Sequence, residues 1–306
     1  MQLGPLNKTL LVIVGPTAVG KTDLAIELAK YFKTEIISAD SRQFYKEMSI
    51  GTAKPTAEEL AAVKHYFINS HSITESFTAG DYEKQALLLI ENLFKAHDIV
   101  ILAGGSGLFI KAVCEGFDEL PPADELLRSK LNNEFSKNGI AFLQEKLKIA
   151  DPDYYELVDL NNPQRIIRAL EVIESTGKPF STFHKTLAKE RPFNIIKIGL
   201  NLPRAILYTR INNRVDIMLK DGLLDEVRAL LPHRGLNALN SVGYNELFDF
   251  LDEKTDLATA IDLIKQNTRR FAKRQLTWFR KDKSIKWTEA GKPVTDIESW
   301  IRELPG

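Results

Sequence analysis

A single cysteine, Cys114, stands in the 306 residues. No intrachain disulfide and no Cys-x-x-Cys metal site can form, and a reducing compartment is the simpler reading. The five histidines, His65, His71, His97, His184 and His233, are scattered without ligand spacing, which argues against a structural zinc site. An excess of charge of one sign is also missing. With 41 Lys and Arg against 41 Asp and Glu, any attraction to a polyanion must come from local segregation of charge. Long apolar runs are absent. "DIVILAGG" and "LLVIVGP" are far too short to cross a bilayer, and the opening "MQLGPLNK" has no signal-peptide core. These absences predict a cytoplasmic protein with no membrane segment. What is present is ordinary globular composition, 44% hydrophobic and 27% charged, which excludes disordered and fibrous classes. The length predicts one large domain carrying an insertion, or two domains.

Three short β-branched runs, residues 9–14, 35–38 and 98–102, each precede a Gly- or Ser-rich turn. Between them, "DLAIELAKYF" and "DYEKQALLLIENLFKAH" repeat apolar residues at helical spacing. Alternation of this kind predicts an α/β fold with a parallel sheet. From residue 124 to about 189 the pattern turns helical and polar, with Tyr154, Tyr155, Phe180 and Phe183 among basic residues. This predicts an inserted helical subdomain over residues 121–189, within a core formed by 1–120 and 190–306. A strand is expected again at 194–200, then helices at about 204–219, 223–231, 245–251 and 257–280. The tail "KSIKWTEAGKPV" should add a short strand and a loop.

"GPTAVGKT", Gly15 to Thr22, has the spacing G-x-x-x-x-G-K-[ST] between a strand and a helix, the context a phosphate-binding P-loop requires. Glycines let successive N–H groups converge on one anion, and a helix beginning near Lys21 aims its positive end at the same point. Gly15, Pro16, Thr17, Ala18, Val19, Gly20, Lys21 and Thr22 are therefore candidate diphosphate- or nucleotide-binding residues. Lys21 would neutralise phosphate oxygens and the Thr22 hydroxyl would reach Mg²⁺. The alternative is a Gly-rich turn with a coincidental Lys-Thr. A nucleotide hydrolase should show a second apolar strand ending in an acidic residue. "DIVILAGGSG" instead ends in Ala103-Gly104-Gly105, with Asp98 at its wrong end, whereas "EIISAD" delivers Asp40 at the edge where ligands bind. Asp40 can then be a magnesium holder, a general base, or a turn cap.

Taken together, "GPTAVGKT", "EIISADSRQFYKEMSIGTAKP", "AGGSGLFIKAV", "NNPQRIIRALEVIESTGKP" and "NTRRFAKRQLTWFRK" resemble the tRNA dimethylallyltransferase (tRNA isopentenyltransferase) family, in order and over nearly the whole chain. The cradle alone is shared with many kinases. "SADSRQ" followed by "IGTAKP", and "KRQLTWFR" near the C-terminus, are much more specific. The resemblance implies a P-loop NTPase-like parallel core and transfer of a dimethylallyl group from dimethylallyl diphosphate to N6 of the adenosine 3′ of the anticodon. The cradle would then hold the leaving diphosphate with Mg²⁺.

On that resemblance Asp40 is the general base; Lys21 of the cradle, with Ser106 and Arg214 as further candidates, completes the expected catalytic set. Ser106 keeps a hydroxyl where the family more often has threonine, and Arg214 is either a second cation on the pyrophosphate or an ion-paired surface residue. The target base must be flipped out of the anticodon loop. The resemblance places tRNA contacts at Asp40, Ser41, Arg42, Gln43, Ser106, Arg128, Gln164, Arg165, Ile166, Ile167 and Arg168. Arg165 and Arg168, three apart on a helix, would share a face suited to phosphates, with Ile166, Ile167 and Leu170 in the core. From Ile264 to Trp287 nine Lys or Arg meet one acidic residue, Asp282, which predicts a polyanion surface. Trp278 and Trp287 are expected in the core. The family is commonly monomeric. Competing readings are a prenyltransferase acting on free adenine nucleotides, a small-molecule kinase, and a tRNA-binding module without catalysis.

Overall fold

The computed structural model describes residues 8–118, 120–121, 124–183, 189–291, 297 and 300. His184 and the loop expected at 292–294 lie outside the described residues. The chain divides into two units, one formed by residues 1–115 and 191–306 and the other by 116–190.

The larger unit is built on a six-stranded sheet in the order β3-β2-β4-β1-β5-β6, with every ladder parallel. The strands are β1 (Thr9–Val14), β2 (Ile36–Ser38), β3 (His65–Tyr66), β4 (Ile99–Gly104), β5 (Asn194–Asn201) and β6 (Ile285–Glu289). Central β1 is apolar at nearly every position because both of its faces are covered, as parallel sheets require. Leu10, Val12 and Val14 enter one core, with Tyr82, Phe109 and Leu247. Leu11 and Ile13 enter the other, with Leu28, Leu207 and Ile211. The α/β expectation holds, and β4 runs two residues beyond the expected 102, into Gly104. Strand β3 carries too few residues to show any periodicity.

The helices of this unit are α1 (Lys21–Phe32), α2 (Ala57–Ala62), α3 (Ala79–Leu93), α4 (Gly107–Glu115), α8 (Arg204–Lys220), α9 (Leu223–Ala229), α10 (Tyr244–Leu251) and α11 (Leu257–Phe279), the numbers between belonging to the second unit. α9 stops short of the expected 231, since Pro232 has no N–H to continue it and a 3₁₀ turn, Leu231–His233, takes over. The chain moves from β1 to β2 on one side and from β4 to β5 on the other. The crevice at the C-terminal ends of β1 and β4 is thus the switch point where ligands bind in doubly wound sheets. Arg191, where the chain re-enters this unit, donates to the carbonyls of Ala112 and Val113 and pairs with Glu83. The points of exit and return are thereby clasped together.

The smaller unit consists of α5 (Glu125–Ala150), α6 (Pro152–Leu157) and α7 (Pro163–Thr176). α5 breaks at Gly139, whose φ of 76° is non-helical. Leu131, Leu143, Leu147, Ile166, Leu170 and Phe180 form its own core. Buried Asp151 caps α6 through the Tyr154 N–H and accepts a second bond from the Ser181 N–H.

Candidate active site

The cradle follows β1 directly. At Gly15 φ is 150° and a Cβ would sit 2.7 Å from the Leu200 carbonyl oxygen, so only glycine fits between β1 and β5. Gly20, with φ of 103°, turns the chain into α1 and has no side chain to cap it. The first-turn N–H groups of α1 are therefore available to an anion. The Lys21 Nζ donates to the carbonyls of Pro16 (2.8 Å) and Gly15 (3.0 Å), closing the loop on itself. Burial lowers the Lys21 pKa to about 8, opposed by the Asp40 carboxylate and assisted by the Arg214 guanidinium.

Asp40 follows β2. Its Oδ1 accepts the N–H groups of Arg42 (2.9 Å) and Gln43 (3.3 Å), a local turn that anchors the carboxylate. Among the described residues nothing donates to Oδ2. Beside it, the Ser41 N–H donates to Ser106 Oγ (2.9 Å), and the Ser106 N–H to the Ala39 carbonyl. Ser106 lies in "GGSG", whose glycines each meet a different neighbour. A Cβ at Gly104 would strike the Ala39 backbone, one at Gly105 the Gln275 amide, and one at Gly107 the Trp278 indole. The Gln43 side-chain amide donates to the carbonyls of Thr52 and Ala53, and Arg42 reaches the Asn240 carbonyl at 3.4 Å.

Arg214, on α8, is directed at the cradle. Its Nη1 lies 3.4 Å from Thr17 Oγ1, and desolvation lowers its pKa while Asp23 and Glu59 oppose the shift. Arg210, one turn earlier, reaches the Val19 carbonyl. These residues line one cleft of about 1130 Å³, which gathers Thr17 to Thr22, Asp40 to Gln43, Ser106 and Arg214. Gly15 and Pro16 sit behind it, supporting Lys21 through their carbonyls.

Three further residues bear on the cleft: Lys54, within "IGTAKP", and Gln275, within "KRQLTWFR", line it, and Glu226, in no motif, supports it from behind. Glu226 accepts the consecutive N–H groups of Ser49, Ile50 and Gly51 and the Tyr244 hydroxyl, fixing the "SIGTAKP" loop. Lys54 donates to the Tyr45 and Lys46 carbonyls and to Ser49 Oγ, and burial lowers its pKa to about 8. Gln275, on α11, joins Thr17 to Gly105. "IGTAKP" and "KRQLTWFR" stood out in the sequence, but the partners that explain them lie far along the chain.

Thr22, whose hydroxyl could hold a divalent cation, lines the cleft, as does Asp40. Among the described residues no group of three or more His, Cys, Asp or Glu could hold a metal. That suits Mg²⁺, which keeps waters and binds mainly through substrate phosphates.

In the helical unit Gln164 and Arg165 are exposed at the start of α7. Ile166 and Ile167 are 0% and 1% exposed, held in the core, so their side chains cannot touch RNA. Arg128 and Arg168 do not point freely outward: both pair with Glu171, itself 1% exposed, at 2.8 Å, and Arg168 also donates to the Pro121 carbonyl. An unpaired Glu171 would be costly in that core, so part of each guanidinium is committed to neutralising it.

The basic stretch of α11 divides by face. Lys265 pairs with Asp216 and Arg269 bonds Asn212, both on α8. Arg270, Lys273, Arg274, Thr277, Trp278 and Lys281 line a shallow groove of about 430 Å³. Trp278 is 38% exposed, not the core residue expected: the Nε1 edge of its indole packs on Gly107 while the residue lines the groove. No helix among the described residues is long and apolar enough to cross a membrane.

Comparison with known proteins places this geometry. The family model for IPP transferase matches residues 43–282. The tRNA dimethylallyltransferase of Christiangramia forsetii is 53% identical over 296 residues, covering 97% of this chain and 98% of that protein. Its namesake from Cytophaga hutchinsonii is 51% identical, covering 97% of each. Among solved structures, the tRNA isopentenylpyrophosphate transferase of Bacillus halodurans is 39% identical with a TM-score of 0.70, over 96% of this chain and 95% of that one. A eukaryotic dimethylallyltransferase described as acting on tRNA has a TM-score of 0.77 at 27% identity, over 96% of this chain and 75% of that one. With the family model matched over residues 43–282 and relatives more than half identical along nearly its whole length, this chain belongs to the IPP transferase family.

Proposed function

We propose that the chain is a tRNA dimethylallyltransferase, moving the dimethylallyl group of dimethylallyl diphosphate to N6 of the adenosine 3′ of the anticodon. The observation that carries the reading is the pairing of a phosphate cradle with the Asp40 carboxylate in one cleft, anchored through Oδ1 and open at Oδ2. The names borne by the relatives support it. The adenine amine is a weak nucleophile because its lone pair is delocalised into the ring. As N6 bonds to C1 of the prenyl group, the C1–O bond to the diphosphate breaks and Asp40 accepts the N6 proton. Charge gathers on the leaving diphosphate, where the N–H groups at the start of α1, Lys21 and Arg214 stabilise it more strongly than in the ground state. Mg²⁺, bound through Thr22 and the diphosphate, would add Lewis-acid stabilisation of the same oxygens.

Ser106, tied to the Ser41 N–H, still has its own proton to donate and would orient the incoming nucleoside. Ser41, Arg42 and Gln43 would meet the anticodon loop. Gln164 and Arg165, with the outward parts of Arg128 and Arg168, would meet its phosphates, as would the α11 groove. The enzyme would act as a cytoplasmic monomer, where tRNA is found. Incubation with unmodified tRNA, Mg²⁺ and labelled dimethylallyl diphosphate tests the proposal. Labelled prenyladenosine in digested RNA is expected. Label on free adenine nucleotide alone, or ATP consumption without RNA product, would overturn it.

A further inference from the structure

Gln275 is 7% exposed, on the face of α11 turned toward the sheet. Its Oε1 accepts the Thr17 N–H at 2.8 Å and its Nε2 donates to the Gly105 carbonyl at 2.9 Å. One planar amide therefore joins the two loops that leave the ends of β1 and β4, the first carrying the cradle and the second carrying Ser106. Thr17 is fixed from two sides, its N–H by Gln275 and its hydroxyl by Arg214. The Thr17 N–H is thereby spent on Gln275 and is not open to an anion in the cradle. The absence of a side chain at Gly105 is part of the same arrangement, because a Cβ there would collide with Nε2. An Asn would be too short for both bonds, and a Glu would set a carboxylate against the Gly105 carbonyl.

We propose that Gln275 is a positioning residue for the transfer reaction: it sets the register between the diphosphate cradle and the Ser106 turn, and so between the two reactants. This rests on the functional reading above. A misplacement on the scale of 1 Å between reacting groups is enough to slow chemistry by about 10²-fold. Loss of the strut should therefore fall on kcat and on pyrophosphate affinity, not on tRNA binding.

Gln275→Met keeps the stem and removes both bonds. The expected result is kcat lower by about 10-fold to 100-fold, weaker pyrophosphate binding, and KM for tRNA within about 2-fold of the parent. Amide exchange should quicken at Thr17 while β1 keeps its protection. Gly105→Ala, which displaces Nε2 without altering Gln275, should reproduce the loss, and should add nothing in a Gln275→Ala background. Parent-like kcat in folded Gln275→Met, or additive losses in the double variant, would overturn the proposal. If Gln275→Met does not fold, the Gly105→Ala pair decides by the same criterion. A parent that puts no label into RNA would overturn the functional reading alone, and the strut would then be decided by pyrophosphate affinity and Thr17 exchange.

Discussion

Asp40 has two tasks, holding a turn through Oδ1 and, on the proposed mechanism, taking a proton through Oδ2. Asp40→Asn keeps the acceptor and removes the base. It should lower single-turnover transfer by about 10²–10⁴ while tRNA binding stays within a few-fold. Near-normal transfer in that variant would exclude Asp40 as the base. Lys21 gives a pH signature. With its pKa lowered to about 8 by burial, the free enzyme already holds the Lys21 proton below that pH, so the Lys21 contribution to pyrophosphate affinity should be flat there. Bound diphosphate raises the pKa, so above about pH 8 binding must take up a proton, and affinity should fall by up to about tenfold per pH unit. Calorimetry in buffers of different ionisation enthalpy would show more proton uptake in the parent than in Lys21→Met, and equal uptake would remove Lys21 as its source. Both residues were legible in the sequence because each belongs to a short motif beside its strand. Gln275 stood inside "KRQLTWFR", but its role did not show, since its partner Thr17 lies 258 positions away. The commitment of Arg128 and Arg168 to Glu171 was equally hidden, because spacing gives a shared helix face but not which carboxylate is buried beneath it.

Two elements carry tests of their own. Glu226 on α9 satisfies three consecutive N–H groups of the 49–51 loop. Glu226→Ala leaves them without that partner and should destabilise the protein by about 1–3 kcal/mol, seen as a lower denaturant midpoint, with faster exchange in that loop. Parent-like stability would mean that water replaces the carboxylate at no cost. On α11, Arg270 and Arg274 face the groove while Lys265 and Arg269 are spent on α8. The double variant Arg270→Ala, Arg274→Ala should reduce the salt slope of tRNA binding by about 1–2, whereas equal slopes would remove this face from the RNA site. Composition identified the stretch as basic. Helical geometry, seen only when α8 is packed against it, decided which cations remain outward. Strand and helix positions were mostly legible because β1, β4 and β5 are buried on both faces and read as apolar runs. Two-residue β3 left no pattern to read.

At the scale of the whole molecule, the clasp of Arg191 on Ala112, Val113 and Glu83 means the larger unit is continuous without the smaller one. Replacing residues 116–190 by a short flexible linker should leave pyrophosphate binding within a few-fold while abolishing transfer to tRNA. Loss of both would show that the larger unit needs the insertion to fold. The helical character of the insertion was legible, whereas its boundaries depend on contacts: the described chain leaves the larger unit at 116, before the pattern turns helical. The wholly parallel sheet has a further consequence, for synthesis. β1 and the cradle leave the ribosome before β5 and the Gln275 helix, which hold that loop in place and follow at 194–201 and 257–279. A nascent chain therefore carries its anion-binding loop unsupported through the synthesis of the residues between, and acquires a competent cleft only when the Gln275 helix emerges.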